Sequence, residues 1–151
     1  MANIDLKTLK KLRDETSASI ADCRRALDES GGDYKKALAW LTKRSVEIAE
    51  KKSDRETSQG LVEAYIHGGG KIGVLVTLLC ETDFVAKTDE FKSLAHEIAM
   101  QISAMNPKDV KTLLKQDYIR DGSQTIEQLV KTTIGKLGEN ISVKEFSRFS
   151  I

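Results

Sequence analysis

The first 45 residues carry apolar side chains at intervals of three and four, which is the period of an amphipathic helix. Asp5, Ser19 and Asp33 each precede such a run, where their side chains can accept hydrogen bonds from the first helical turn. Gly31 and Gly32 suit the left-handed conformation that often ends a helix. The pattern predicts three short helices in a small bundle, with stripes formed by Leu6, Leu9, Leu12, Ile20, Cys23, Leu27, Tyr34, Ala37, Leu38 and Leu41.

Beyond the bundle the apolar pattern first fades and then changes its period. Trp40 lies off the third stripe, so it either closes the edge of the bundle or faces a partner. Residues 46–58 have almost no apolar periodicity, which is typical of an exposed linker, whether helical or extended. The run Val62–Ile66 alternates apolar with polar residues and predicts a half-buried strand. Ile72–Cys80 is apolar at nearly every position and predicts a central strand.

The glycines at 68–70 predict a hairpin turn between these two strands. A phosphate-binding loop would need the pattern GxxxxGK[ST] followed by a helix. Here Lys71 is followed by Ile72 and a strand, so the hairpin is the better interpretation.

Helical periodicity returns after residue 88. An apolar stripe runs over four turns, with Asp89 as its expected cap and Asn106-Pro107 as its end. The stripe consists of Phe91, Leu94, Ala95, Ile98, Ile102 and Met105. A long amphipathic helix of this kind must cover a hydrophobic surface, and the two preceding strands provide one.

The last third of the chain predicts two more helices and a strand. A short helix is expected around residues 110–114. Another starts near Thr125, with Gln128 as its capping partner, and ends at Gly138. Residues 140–149 predict a final strand.

The fold class that follows is α+β: a three-helix bundle, then a small antiparallel sheet with helices packed on one face. We expect a helical domain over residues 1–45, a linker over 46–58 and an α+β core domain over 59–151.

Composition and charge narrow the function. The chain has 24 Lys and Arg against 23 Asp and Glu, a formal net charge of +1, which argues against direct binding of nucleic acid through a large basic field. No apolar run approaches the roughly 20 residues of a membrane span, and the first residues lack the apolar core of a signal peptide. We expect a cytoplasmic protein that does not contact a membrane.

Catalytic groups are few. Cys23 and Cys80 form no CxxC motif and predict buried, reduced thiols. His67 and His96 fall on polar positions, where a solvated histidine is the default. We therefore expect no enzyme, no cofactor and no metal site, and the alternative of an enzyme that uses His96 with nearby carboxylates ranks far below a binding protein.

The stretch "ETDFVAKTDEF", Glu81 to Phe91, is the best candidate for a binding site. Phe84 and Val85 stand there among acids, lysines and threonines, between a buried strand and a capped helix. Two interpretations are equally compatible with the pattern. Phe84 either folds back over the sheet as a plug or protrudes as an aromatic anchor for a partner.

The hexapeptide "TDFVAK", Thr82 to Lys87, resembles the signature loop of the elongation factor Ts family, guanine-nucleotide exchange factors of elongation factor Tu. The segments "GLVEAYIH", "GVLV", "LAHEIAMQISA" and "LGENI" resemble the core of that family in the same order. The first helices, Leu12 to Leu41, resemble its ubiquitin-associated-like bundle. The resemblance covers nearly the whole chain.

The resemblance implies a role for each residue of the loop. Phe84 would wedge into the nucleotide domain of elongation factor Tu, and Asp83 would disturb the bound magnesium. Thr82 and Val85 would hold the loop in shape and add contact. The exchange itself needs no cofactor and no catalytic residue.

The resemblance also implies a second contact through the N-terminal bundle, at Leu12, Ile20 and Ala21. Many members have two methionines where this chain has Ile20 and Ala21 in "TSASIADC". Ala21 offers less contact than methionine. An alternative function is a non-enzymatic interaction module, since similar bundles bind ubiquitin or nascent chains.

Longer members of the family carry two related core subdomains, whereas this sequence has one. Short members are understood to pair, so that a second copy supplies the missing half. The resemblance therefore implies a homodimer.

Overall fold

The computed structural model describes residues 4–151 and has the expected α+β architecture. Its elements in chain order are α1 Leu6–Thr16, α2 Ile20–Glu29, α3 Tyr34–Lys52, β1 Gln59–His67, β2 Ile72–Cys80, α4 Asp83–Ala86, α5 Asp89–Met105, α6 Val110–Lys115, β3 Asp117–Tyr118, β4 Asp121–Thr125, α7 Ile126–Leu137 and β5 Ile141–Ser150.

Helices α1, α2 and α3 form the predicted bundle, and each begins at its predicted cap. Asp5 accepts from the backbone N–H of Lys7 and Thr8, while Ser19 and Asp33 each accept from the third helical residue. The bundle has a small core of its own, made of Leu9, Leu12, Cys23, Ala26, Leu27, Ala37 and Leu41. Leu6 and Ile20 of the predicted stripes are exposed instead.

Trp40 closes the edge of this bundle. Its indole N–H donates to a carboxylate oxygen of Glu29 at 2.6 Å, and the guanidinium of Arg25 lies 5.8 Å from the ring centroid. The ring packs against the bundle core. Of the two alternatives for Trp40, closing the edge of the bundle therefore describes its environment.

Helix α3 runs beyond the bundle, through the first half of the segment expected as a linker. It reaches Lys52, and Ala49 is buried in the main hydrophobic core. Its middle crosses α7 closely: a Cβ on Gly135 would lie 2.5 Å from Cβ of Ser45. The division of the chain into domains at residues 46–58 stays a prediction.

The main sheet has the order β1-β2-β5, and both pairings are antiparallel. The prediction that Ile72–Cys80 is the central strand is confirmed. One face of the sheet packs against α5 and α7 in the main core, where the buried side chains include Val76, Leu78, Phe91, Ile98 and Ile134.

The other face of this sheet is uncovered. It presents Val62 and Ile66 of β1, Leu75 of β2 and Phe149 of β5, all of them exposed. The alternation in β1 predicted the strand correctly, but its apolar set lies on this open face. The residues turned toward the helices are Leu61, Glu63 and Tyr65, with the two apolar ones packed on the core.

Further local features differ from the sequence-based expectations, among them the single helical turn α4, which the pattern did not predict. The cap of α5 is Thr88, whose hydroxyl accepts from the N–H of Phe91 at 3.2 Å, and Asp89 is the first helical residue. The hairpin of β3 and β4 had no counterpart in the prediction. The cap of α7 is the predicted Thr125, with the full capping box through Gln128.

Candidate partner-binding site

Phe84 protrudes from the surface immediately after the central strand. It belongs to α4, a single helical turn, and its side chain is 80% exposed. The interpretation of Phe84 as a plug over the sheet is therefore wrong. An exposed aromatic ring is what an anchoring loop needs, because its burial on a partner removes a large apolar surface from water.

The backbone beneath Phe84 is firmly held. Val85 and Ala86 pack against the main core, and the Thr88 hydroxyl donates to the carbonyl of Val85 at 2.7 Å. The Cys80 thiol donates to the carbonyl of Thr82 at 3.0 Å. Burial raises the pKa of Cys80, so the thiol keeps the proton that this contact uses. The ring therefore stands on a fixed base.

Asp83 lies beside Phe84 and is also exposed. Its carboxylate is 3.3 Å from the ammonium of Lys87, one turn further along. An ion pair between two exposed side chains contributes little, about 0–1 kcal/mol. The carboxylate of Asp83 can therefore leave Lys87 and bind a stronger partner with little loss of free energy.

Thr82 is anchored by Glu139, which follows α7. One carboxylate oxygen of Glu139 accepts from the backbone N–H of Thr82 at 2.9 Å, and the other accepts from its hydroxyl at 2.7 Å. The Thr82 hydroxyl oxygen in turn accepts from the N–H of Val85 at 3.4 Å, which caps the turn that carries Phe84. Glu139 lies in the segment "LGENI", but nothing in the sequence indicated that it contacts Thr82.

Asn140 extends the same arrangement to the end of α3. Its backbone N–H donates to Glu81 at 2.8 Å, and its side-chain amide donates to the carbonyls of Arg55 at 2.8 Å and Ser53 at 3.4 Å. Arg55 also lies 3.7 Å from the carboxylate of Glu81. Neighbouring residues 139 and 140 therefore join the loop to the end of the helix that leaves the bundle.

The three predicted contact residues of the bundle differ in position. Ile20 and Ala21 begin α2, and both are exposed, with Ile20 47% accessible. Leu12 is fully buried in the bundle core. Only the first two can meet a partner directly, and Leu12 supports the helices from within.

The two histidines each lie beside Tyr65 of β1, with ring centroids 5.8 Å (His67) and 5.6 Å (His96) from that of the tyrosine. The Nδ1 atom of His96 is 3.5 Å from Glu63, and the hydroxyl of Tyr65 is 2.8 Å from Nδ1 of His67. The ring of Tyr65 meets that of His96 edge to face at 5.6 Å between centroids. Each imidazole is engaged by a structural neighbour at the joint of α5 and β1.

Comparison with known proteins bears directly on this site. A family profile described as Elongation factor TS matches residues 81–151, which begin at the Phe84 loop. The protein named elongation factor Ts of Rippkaea orientalis is 42% identical over 99% of this chain and 78% of its own length. That of Coprothermobacter proteolyticus is 42% identical over 98% of both chains.

The chain belongs to the elongation factor Ts family. Family membership assigns it to translation elongation in protein biosynthesis. The similarity also includes the bundle, because these alignments extend well before the residues that the profile matches.

The relatives named elongation factor Ts differ from this chain in length. The alignments with the two relatives above run over 195 and 193 positions, so at least 44 and 42 of them have no counterpart among the 151 residues here. Elongation factor Ts of Nostoc sp. aligns over 151 positions, 45% identical, and these are 48% of its own length.

No helix within residues 4–151 is both long enough and apolar enough to cross a membrane. In the same range, both cysteines are free and buried, as expected. The structure groups no three His, Cys, Asp or Glu side chains of residues 4–151 in a way that suits a metal ion.

Proposed function

We propose that this chain is a guanine-nucleotide exchange factor, which binds the GDP-bound form of elongation factor Tu and promotes release of GDP. The observation that carries the proposal is the exposed ring of Phe84 on a fixed, capped turn, next to the exposed carboxylate of Asp83. Family membership supports the choice of partner.

The loop Thr82–Val85 acts near the magnesium and phosphates of the nucleotide. Phe84 inserts between elements of the partner's nucleotide domain, where full burial of such a ring is worth about 1.5–3 kcal/mol. Asp83 competes for the bound magnesium or its waters, because carboxylate oxygens are ligands that Mg²⁺ prefers. Thr82 and Val85 keep the turn in shape through the cap and the core contact described above.

Exchange of this kind breaks and forms no covalent bond, so it needs no catalytic residue. It needs a partner whose binding opposes that of the nucleotide. The coupling is reciprocal: a factor that weakens GDP by a given ratio is itself weakened by GDP in the same ratio. A complex of this kind can release either ligand, which is the requirement for exchange.

The N-terminal bundle supplies a second contact with elongation factor Tu. Exposed Ile20 and Ala21 at the start of α2 offer an apolar surface, and buried Leu12 supports it. The small side chain of Ala21 limits the apolar area of this contact.

The test is release of a fluorescent GDP analogue from elongation factor Tu, followed by stopped flow at increasing concentrations of this protein. We expect a release rate that rises with concentration and then saturates. Release that stays at its spontaneous rate when the two proteins are equimolar would contradict the proposal.

We further propose that the functional form is a homodimer, paired through the open face of the main sheet. Val62, Ile66, Leu75 and Phe149 form an apolar surface there, with Phe149 74% exposed. A second copy of the same face suits it, because two sheets pack face to face about 10 Å apart with their side chains interdigitated. A two-fold pairing also uses the same patch on both copies.

A further inference from the structure

Residues Glu139 and Asn140 occupy a junction between three parts of the molecule. They follow Gly138, which ends α7 in the left-handed conformation, and they precede β5. Glu139 faces the Phe84 loop, and Asn140 faces the segment after α3. Two adjacent residues therefore contact two different segments, the Phe84 loop and the segment after α3.

Glu139 directs both of its carboxylate oxygens to one residue of the loop. Its two oxygens take both hydrogen-bond donors of Thr82, at 2.9 and 2.7 Å, in a half-buried setting. Hydrogen bonds that involve a charged group are roughly twice as strong as neutral ones. Among residues 4–151, Glu139 is the one side chain that accepts from the N–H and the hydroxyl of Thr82, so it orients the hydroxyl that caps α4, while the Cys80 thiol holds only the carbonyl.

Asn140 is buried and ties down the other side. Its amide holds the carbonyls of Ser53 and Arg55, immediately beyond the end of α3. Helix α3 is also the third helix of the bundle. These hydrogen bonds therefore hold the C-terminal end of a bundle helix, which is the base of the bundle. The hydrogen bond between Thr57 and Ser142, at 2.7 Å, continues the attachment along β5.

We propose that Glu139 and Asn140 are positioning residues for nucleotide exchange, which hold the Phe84 loop and the base of the bundle in one rigid frame. The inference rests on the proposed function. Two contacts held at a fixed distance meet the partner without a further loss of chain entropy, and strain made at one contact is transmitted to the other. A loop without this support would still contact elongation factor Tu. It would, however, change its own conformation on binding instead of displacing the nucleotide.

This inference predicts a specific kinetic pattern for Glu139→Ala. The maximal rate of GDP release from elongation factor Tu falls about tenfold, as expected for loss of one strong orienting interaction. The concentration that gives half-maximal rate changes less, about twofold, because the contacting side chains are all retained. Glu139→Gln keeps one carbonyl acceptor and recovers part of the rate.

The matched control is Glu127→Gln on α7, an exposed residue whose one ion-pair partner within residues 4–151 is Lys131, at 3.7 Å. We expect it to leave both kinetic parameters unchanged. Circular dichroism and thermal unfolding establish that each variant is folded. Amide hydrogen exchange of residues 82–86 in the free protein provides a second readout, and it should become faster in Glu139→Ala but not in the control.

A double-mutant cycle tests whether Glu139 acts through Thr82. Thr82→Val keeps the shape of the side chain and removes its hydroxyl, and Glu139→Ala combined with it should slow release little more than Glu139→Ala alone. Equal maximal rates for the wild type and Glu139→Ala would overturn the inference and leave the exchange function intact. A wild-type protein that fails to accelerate release would overturn the proposed function, and this inference with it.

Discussion

At the scale of single residues, Phe84 combines an exposed ring with a single helical turn whose next residues are held by the core and by the Thr88 hydroxyl. Phe84→Ala should therefore reduce the acceleration of GDP release at least about tenfold, the range of an aromatic hot spot. Thermal stability should hardly change, because the ring makes no core contact. Stopped-flow release of a fluorescent GDP analogue measures the first quantity, and calorimetry measures the second.

The control for Phe84→Ala is Ile119→Ala, which removes another exposed apolar side chain, in the turn between β3 and β4. It should leave the rate of release unchanged. Equal rates for Phe84→Ala and the wild type would exclude Phe84 as the wedge, even if the protein proves to be an exchange factor.

Tyr118 provides a residue-scale prediction about pH. Burial and its hydrogen bond to Glu97, at 2.6 Å, raise the pKa of this phenol to about 12. The folded state thus favours the protonated form, and the associated stability is complete below about pH 10, the unfolded value. It is lost as the pH rises toward 12.

Tyr118→Phe should consequently lower the free energy of unfolding by about 1–2 kcal/mol at pH 8. The difference from the wild type should shrink between about pH 10 and 12, because the wild type loses its advantage there. Urea unfolding of both proteins across this range measures it. A difference that stays constant with pH would show that the phenol proton does not carry the stabilisation.

At the scale of elements, the contact of α3 with α7 depends on the absence of a side chain at Gly135. An added Cβ would lie 2.5 Å from Cβ and 2.7 Å from Cα of Ser45. Gly135→Ala should destabilise the fold by about 1–3 kcal/mol through overpacking, although alanine is the better helix former by about 1 kcal/mol. Urea unfolding measures the change.

The matched control is Gly122→Ala in β4, where an added Cβ would meet nothing within 4 Å. Its effect should stay within about 0.5 kcal/mol. If both alanine variants were equally stable, the close crossing of α3 and α7 would not be a constraint on the sequence.

Periodicity predicted most elements, because helix caps and apolar stripes are local. Asp5, Ser19, Asp33 and Thr125 all begin helices as expected. What periodicity did not decide was the face of a strand. In β1 the wholly apolar set, Val62, Ala64 and Ile66, is the exposed one, and the set that meets the helices includes Glu63, so the face depended on the position of α5 and not on the alternation.

The same limit applies to the site. The sequence indicated that Phe84 was unusual, but its exposure depends on how α4 is held. Glu139, which holds Thr82 at the start of this turn, lies 57 residues further along the chain than Thr82. A contact that distant in sequence, between a polar loop residue and a polar residue after a helix, leaves no periodic pattern.

At the scale of the whole molecule, the uncovered face of the main sheet is the largest departure from a self-contained fold. Helices cover one face only, whereas Val62, Ile66, Leu75 and Phe149 are left in contact with water. Apolar patches of this kind on a soluble protein mark interaction sites. The homodimer that we propose would bury them and leave the Phe84 loop of each copy available to its own partner.

The dimer predicts that Leu75→Thr combined with Phe149→Thr converts the protein to a monomer. Threonine keeps the preference for a strand but removes most of the apolar area that the second copy would bury. The double variant should still fold, because both side chains lie outside the core. Sedimentation velocity over a range of concentrations distinguishes a dimer from a monomer. The control is Leu6→Gln, because Leu6 is about as exposed as Phe149 but belongs to α1 of the bundle and not to the sheet. A wild-type protein that sediments as a monomer at every concentration would refute the dimer, and a double variant that remains dimeric would place the interface on another surface.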